Sequence, residues 1–156
     1  MIISPVKGNY KISQNFWGNE KIYRKFWLKW HNGQDIALPI WTEIFSPIDW
    51  IIRIKDSQDK WYWNHLFITE QWFCRERRQI IFAHLSKIIV ENWAEVKAWD
   101  LIWLSGNTWF STWPHLHWWI RRILPYWKYK NYDNWFFWYE DIFNKWRILE
   151  HKSSKY

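Results

Sequence analysis

Cysteine is nearly missing: Cys74 is the only one among 156 residues. No intrachain disulfide can form, and a thiolate-based zinc knuckle is excluded, so any metal must be held by His, Asp or Glu. No apolar run approaches the ~20 residues that a membrane-spanning helix needs, and the N-terminus lacks the charged-then-apolar pattern of a secretory signal. Glycine is scarce as well, at 4 of 156 residues against a usual share of about 7%. That is odd for a chain with many turns, because glycine reaches positive φ at little steric cost. Tryptophan stands in its place, with 19 residues. Asn92-Trp93, Asp49-Trp50 and Lys60-Trp61-Tyr62-Trp63-Asn64 occupy sites where Asn-Gly, Asp-Gly or Gly-x-Gly would join two strands.

What is present suggests one domain, long enough for a real core. The net charge of +7 favours acidic surroundings such as nucleic acid, anionic lipid or an anionic cell-wall polymer, without choosing among them. Short apolar segments follow one another at 43–54, 64–72, 78–86, 88–90, 95–96 and 101–104, with turn residues between them. That spacing predicts a mainly β fold of antiparallel sheets. Short helical pieces are expected only near 20–30, a basic and aromatic segment that can be a helix or a loop along the rim of a cleft, and at 139–147 in the C-terminal tail. The domain is expected to span 1–150, with its core at about 10–122, an aromatic extension at 123–150 and a frayed polar tail at 151–156.

Three short motifs carry chemistry. In His115-Leu116-His117, Pro114 disfavours a helix and the Trp-Trp-Ile that follows favours a strand. Alternation then puts both imidazoles on one face, roughly 6.5–7 Å apart, with Leu116 and Trp118 on the other. In His31-Asn32-Gly33-Gln34-Asp35, Gly33 and the nearby Pro39 argue against a helix, so a turn feeding a strand can aim both side chains at one point. In Phe82-Ala83-His84-Leu85-Ser86, a continuous strand would put His84 on the face of Phe82 and Ile80. Taken singly, each motif also reads as an ordinary histidine in a turn or on a strand. His65 and His151 have no motif around them and are expected to be structural or exposed.

Together and in this order, the three motifs resemble those of the M23 family of zinc metallopeptidases, the lysostaphin and LytM type. Asp35-Ile36-Ala37, Ser46-Pro47-x-Asp49, and Gly106-Asn107-Thr108 with Ser111-Thr112 match the surrounding text, and Lys29-Trp30-His31-Asn32-Gly33 looks like phage-associated members. The resemblance implies antiparallel sheets with a groove holding one Zn²⁺, with His31, Asp35 and His117 as ligands and His84 and His115 as the catalytic pair beside it. Three protein ligands leave a fourth position for water, and zinc lowers the pKa of such a water toward ~7. Asn107 and Thr112 can line the groove or simply shape its loop through hydrogen bonds to the backbone. The implied activity is hydrolysis of peptide bonds in the stem or cross-bridge peptides of peptidoglycan, by a monomer acting at the cell wall, in the periplasm, outside the cell or on a virion. A non-catalytic relative that binds the wall or regulates an amidase is the alternative, weakened because all five positions are intact. A literal reading of the tryptophans suggests a glycan- or membrane-surface-binding protein. Nucleic-acid binding rests on charge alone and has no motif.

The resemblance also exposes a regularity. Trp27, Trp30, Trp41, Trp50, Trp61, Trp63, Trp93, Trp99, Trp103, Trp109, Trp113 and Trp119 stand where the family pattern has glycine, while Trp118 matches an aromatic position. The expectation is a gene from a bacterium or its phage that reads UGA as glycine, rendered with UGA as tryptophan. A bulky residue forced into a glycine conformation costs about 1–3 kcal/mol. Six such sites would therefore cost ~6–18 kcal/mol, as much as the ~5–15 kcal/mol that stabilises a typical domain.

Overall fold

A computed structural model describes residues 2–26, 30–56, 64–70, 77–108, 113–124, 139–142 and 147–149. Its centre is the strand β11 (His115–Ile123), which pairs antiparallel with β3 (Gln34–Ala37) on one side and β7 (Arg77–Ala83) on the other. The sheet continues from β3 to β2 (Ile12–Gln14), and from β7 through β6 (Asn64–Thr69) and β5 (Trp50–Asp56) to β9 (Glu95–Val96). A short strand, β12 (Tyr139–Glu140), also pairs with β11. A second sheet has the order β4 (Glu43–Phe45), β10 (Leu101–Ser105), β8 (Leu85–Ile88). Near the chain ends, β1 (Ile2–Ile3) runs parallel to β13 (Ile148–Leu149). The expected mainly β, antiparallel architecture is therefore what the chain adopts; among the described residues, helix is confined to α1 (Glu20–Tyr23), a 3-10 turn at Arg24–Phe26 and Ile142.

The main core lies between the two sheets. Ile36, Ile52, Leu66, Ile68, Ile80, Phe82, Leu116, Trp118 and Ile120 of the large sheet meet Ile44, Leu85, Ile102 and Trp103 of the small one. β7 and β11 are buried on both faces, which explains why they read as continuous apolar runs rather than alternating ones. The outer face carries Ile81, Ala83 and Trp119, packed with Phe67 and Tyr139. His117 belongs to this outer face, its ring 4.6 Å from that of Trp119. Because Leu116 and Trp118 anchor β11 in the core, His115 and His117 must point outward together. Register brings Asp35 opposite His117 on one side and Ala83 on the other.

Two expectations need correction. The strand expected over 78–86 stops at Ala83, and His84 is a bend with φ 62° before β8 begins. Its side chain thus leaves the Phe82 and Ile80 face, which is filled by core, and turns toward the other histidines. The helix expected at 139–147 starts instead as β12, because Tyr139 and Glu140 complete the edge of β11; residues 143–146 lie outside the described ones. No helix among the described residues is long and apolar enough to cross a membrane.

Candidate metal centre

His31, Asp35 and His117 come together, all three buried, with one ligand atom from each within 4.8 Å of the others. Asp35 Oδ1 lies 2.6 Å from His117 Nδ1 and 3.2 Å from His31 Nε2, and the two nitrogens are 2.9 Å apart. The outer ring nitrogen of His31 settles its tautomer: Nδ1–H donates to the Asn15 carbonyl at 2.9 Å, so Nε2 presents a lone pair inward. A divalent cation at the centre of the triangle would take the lone pairs of His31 Nε2, His117 Nδ1 and Asp35 Oδ1 in place of the proton that His117 Nδ1 and Asp35 Oδ1 share at 2.6 Å. Tetrahedral Zn²⁺ with ligands at ~2.0–2.1 Å would hold them about 3.3 Å apart, so a small expansion of the triangle accommodates it. The donor set of two imidazoles and one carboxylate suits zinc.

Local sequence explains the convergence. The bend at Gly33 brings His31 up to the start of β3, where Asp35 pairs in register with His117 of β11. Gly33 is required there by close approach. A Cβ on it would lie 2.8 Å from His117 Cε1 and 2.8 Å from the Trp118 carbonyl oxygen. Gly33→Ala is therefore expected to displace the His117 ring, cost about 1–3 kcal/mol of stability and lower bound zinc below one per chain, read by thermal melting and metal analysis. A variant as stable and as fully loaded as the parent would show that the ring is not held this way.

The other two histidines stand beside this triangle. The His84 ring is 4.9 Å from that of His115 and 5.9 Å from that of His117. His84 Nδ1–H donates to the Thr108 carbonyl at 3.1 Å, and His115 Nδ1–H donates to the Trp113 carbonyl at 2.8 Å. Each ring thus carries its lone pair at Nε2, and His115 Nε2 is 3.8 Å from Asp35 Oδ1. Gly106 lets the 84–86 bend close, since a Cβ there would sit 2.8 Å from the His84 carbonyl oxygen. Asn107 is exposed in the stretch between β10 and Thr108, while Thr112 lies outside the described residues.

Electrostatics follow from burial and mutual proximity. Burial works against the charged form of Asp35, but the imidazoles of His117 and His31 outweigh it and hold the carboxyl well below the usual carboxylate range. Burial, with the charges of His117 and His115, pushes His84 down to about 3. Burial likewise pushes His117 down to about 4, against the pull of Asp35. In an unfolded chain these imidazoles would take up protons near pH 6.5, whereas in the folded chain they resist doing so. Their contribution to stability is thus complete above about pH 6.5 and is lost as the pH falls toward 4. Metal-free protein should accordingly melt at progressively lower temperature from pH 7 to pH 4; a flat profile would contradict the buried, neutral histidines.

Residue types alone announce little of what surrounds His31. The Tyr23 ring lies 5.3 Å from the His31 ring, and Gln14 Nε2 donates to the Tyr23 hydroxyl at 3.0 Å. Burial, then the Asp35 charge, raises the phenol above its ordinary value, so it stays a neutral hydroxyl. Gln34, itself buried, donates from Nε2 to Asn15 Oδ1 at 2.8 Å and so steadies the residue whose carbonyl fixes the His31 tautomer. Only the basic and aromatic character of 21–30 hinted at this wall. His65 is buried against Phe67 on β6, far from any motif, as a structural residue.

A buried His-Asp-His triangle that could hold a metal ion lies on the outer face of an antiparallel sheet, with two further imidazoles beside it. Residues 29–133 match the sequence pattern of peptidase family M23, and the chain belongs to that family. It is 32% identical over 113 residues to the peptidoglycan DD-endopeptidase ShyA of Vibrio cholerae serotype O1, a match covering 72% of this chain and 25% of that protein. A zinc-containing peptidase from Vibrio cholerae superimposes with a TM-score of 0.63 at 28% identity, covering 75% of this chain and 35% of the other. The catalytic domain of lysostaphin from Staphylococcus simulans gives a TM-score of 0.58 at 26% identity, covering 73% of this chain and 81% of that domain. The chain spans about a quarter of the length of the curated relatives it matches.

Proposed function

We propose that this domain is a zinc-dependent endopeptidase that cleaves peptide bonds in the stem or cross-bridge peptides of peptidoglycan and so acts at the cell wall. The observation that carries the reading is the convergence of five side chains from three distant segments. His31, Asp35 and His117 would hold one Zn²⁺, and His84 and His115 flank it. The ion, when bound, supplies Lewis acidity, acidifying water and polarising a carbonyl oxygen.

The chain's own residues handle the proton. His84 and His115 are each locked by a backbone carbonyl at Nδ1, so both present Nε2 to the cleft. One neutral imidazole takes the proton of an attacking water at Nε2 and, as the imidazolium, hands it to the departing amine, while its neighbour, when protonated at Nε2, donates to the developing negative oxygen. No glutamate is needed as base, which fits the lack of an H-E-x-x-H helix. The excess of basic residues suits an anionic polymer. Asn107, exposed beside the Thr108 whose carbonyl holds His84, can line the substrate groove or shape its loop; Thr112, expected to share that role, lies outside the described residues. The relation to a peptidoglycan DD-endopeptidase supports the substrate class.

Zymography on purified cell walls tests the whole reading. Clearing should occur with the parent protein, vanish with a chelator, return with added zinc and be missing in His117→Ala. Clearing that is indifferent to chelator would remove the metal from the mechanism, and wall binding without clearing would favour a non-catalytic role.

A further inference from the structure

Six residues other than glycine have positive φ among the described residues, and four of them are tryptophan: Trp17 (70°), Trp41 (71°), Trp93 (71°) and Trp99 (80°). The four share one setting. Gly18 N–H donates to the Asn15 carbonyl at 3.1 Å, Thr42 to Pro39 at 3.3 Å, Ala94 to Glu91 at 3.2 Å and Asp100 to Lys97 at 3.1 Å. In each case a hydrogen bond closes a four-residue turn, and the tryptophan is its third residue. Positive φ at that position alone is the signature of a type II turn, whose third residue is ordinarily glycine because a Cβ is strained there. The other two positive-φ residues are Asn19, a type that tolerates this region, and His84 in the site.

Each turn is also held from outside, so it cannot relax into another type. The Trp17 N–H donates to the His31 carbonyl, Trp41 to Ser105, Trp93 to Ile52 and Trp99 to Ser46, at 2.8–3.0 Å. The indoles of Trp17, Trp41 and Trp93 stay 47%, 60% and 60% exposed, with Trp17 against the Phe16 and Trp30 rings and Trp93 beneath the Arg53 guanidinium, so no burial in the core offsets the strain. An independent strain of this kind at four turns, always with the same bulky residue, is not what a folding sequence selects.

We propose that positions 17, 41, 93 and 99 are glycine in the native chain, specified by a codon that the host reads as glycine. UGA is such a codon: it differs from the tryptophan codon UGG in its third base and from the glycine codon GGA in its first. Position 17 was not visible from the family pattern and is added by the backbone alone. It has a functional consequence, because the Asn15–Gly18 turn holds the carbonyl that fixes the His31 tautomer. Native glycine at 17 lets the chain wrap His31 without strain.

Two measurements test this. Peptide mass spectrometry of the protein from its own cells, read beside its gene, should show glycine at all four positions and UGA at each codon; tryptophan there, or UGG codons, would overturn the proposal. In recombinant protein, Trp17→Gly, Trp41→Gly, Trp93→Gly and Trp99→Gly should each raise Tm by roughly 2–4 °C and together by more, as relief of a left-handed residue implies. Trp118→Gly, which empties a buried strand position, should lower it. Turn variants that melt no higher than the parent would show that these backbones are not strained and would also overturn the proposal.

Discussion

Asp35→Asn is expected to abolish wall lysis and weaken zinc binding by about 100-fold or more while leaving the fold intact. The carboxylate is the only negative group in the triangle, 2.6 Å from His117 Nδ1, 3.2 Å from His31 Nε2 and 3.8 Å from His115 Nε2. An amide of the same shape fills the space but offers no charge to a divalent cation, and its NH₂ can point a donor at the centre. Zinc at 100 times its Kd should stabilise the parent by about 2.7 kcal/mol, a Tm rise of roughly 5–11 °C for a domain of this size. That rise should all but disappear in Asp35→Asn at the same zinc concentration. One zinc per chain and an undiminished Tm rise would show that Asp35 is not a ligand.

Much of this site is legible in the chain because strand periodicity and turn chemistry act over a few residues. Pro114 and the apolar Leu116 and Trp118 fix which way His115 and His117 face, and Gly33 with Pro39 marks the turn that aims His31 and Asp35. What brings these segments together is register between strands whose site residues, Asp35 and His117, are 82 positions apart, which no local pattern encodes; only the resemblance to a known order of motifs anticipated it. His84 was misread for a related reason. Its flanks are good strand formers, and nothing in Ala83-His84-Leu85 announces a positive φ; the bend is imposed by Gly106 and by the Thr108 carbonyl, both far along the chain. The clasp around His31 was equally hidden, since it is made mainly by backbone carbonyls, whose positions residue type does not reveal. The start of the C-terminal helix was lost to a pairing: Tyr139 and Glu140 are reasonable helix residues claimed by the open edge of β11.

The second large effect separates binding the metal from using it. His84→Asn and His115→Ala should each keep one zinc per chain yet lower the rate of wall hydrolysis by about 10²–10⁴-fold, the usual contribution of a positioned proton-transfer group. Asparagine is the better replacement at 84 because it tolerates the φ of 62° found there, so lost activity would not simply report a lost bend. At 115 the residue is on a strand and alanine suffices. Neither ring points a nitrogen into the metal triangle as closely as His31 or His117 does, which is why zinc should remain. If the two histidines act as one proton-handling unit, removing both should cost little more than removing one, whereas independent roles would multiply the losses. The measurement is initial rates on purified walls with zinc content determined on the same samples. Loss of zinc in either variant would make that histidine a ligand, and full activity with both replaced would leave the proton to some other group.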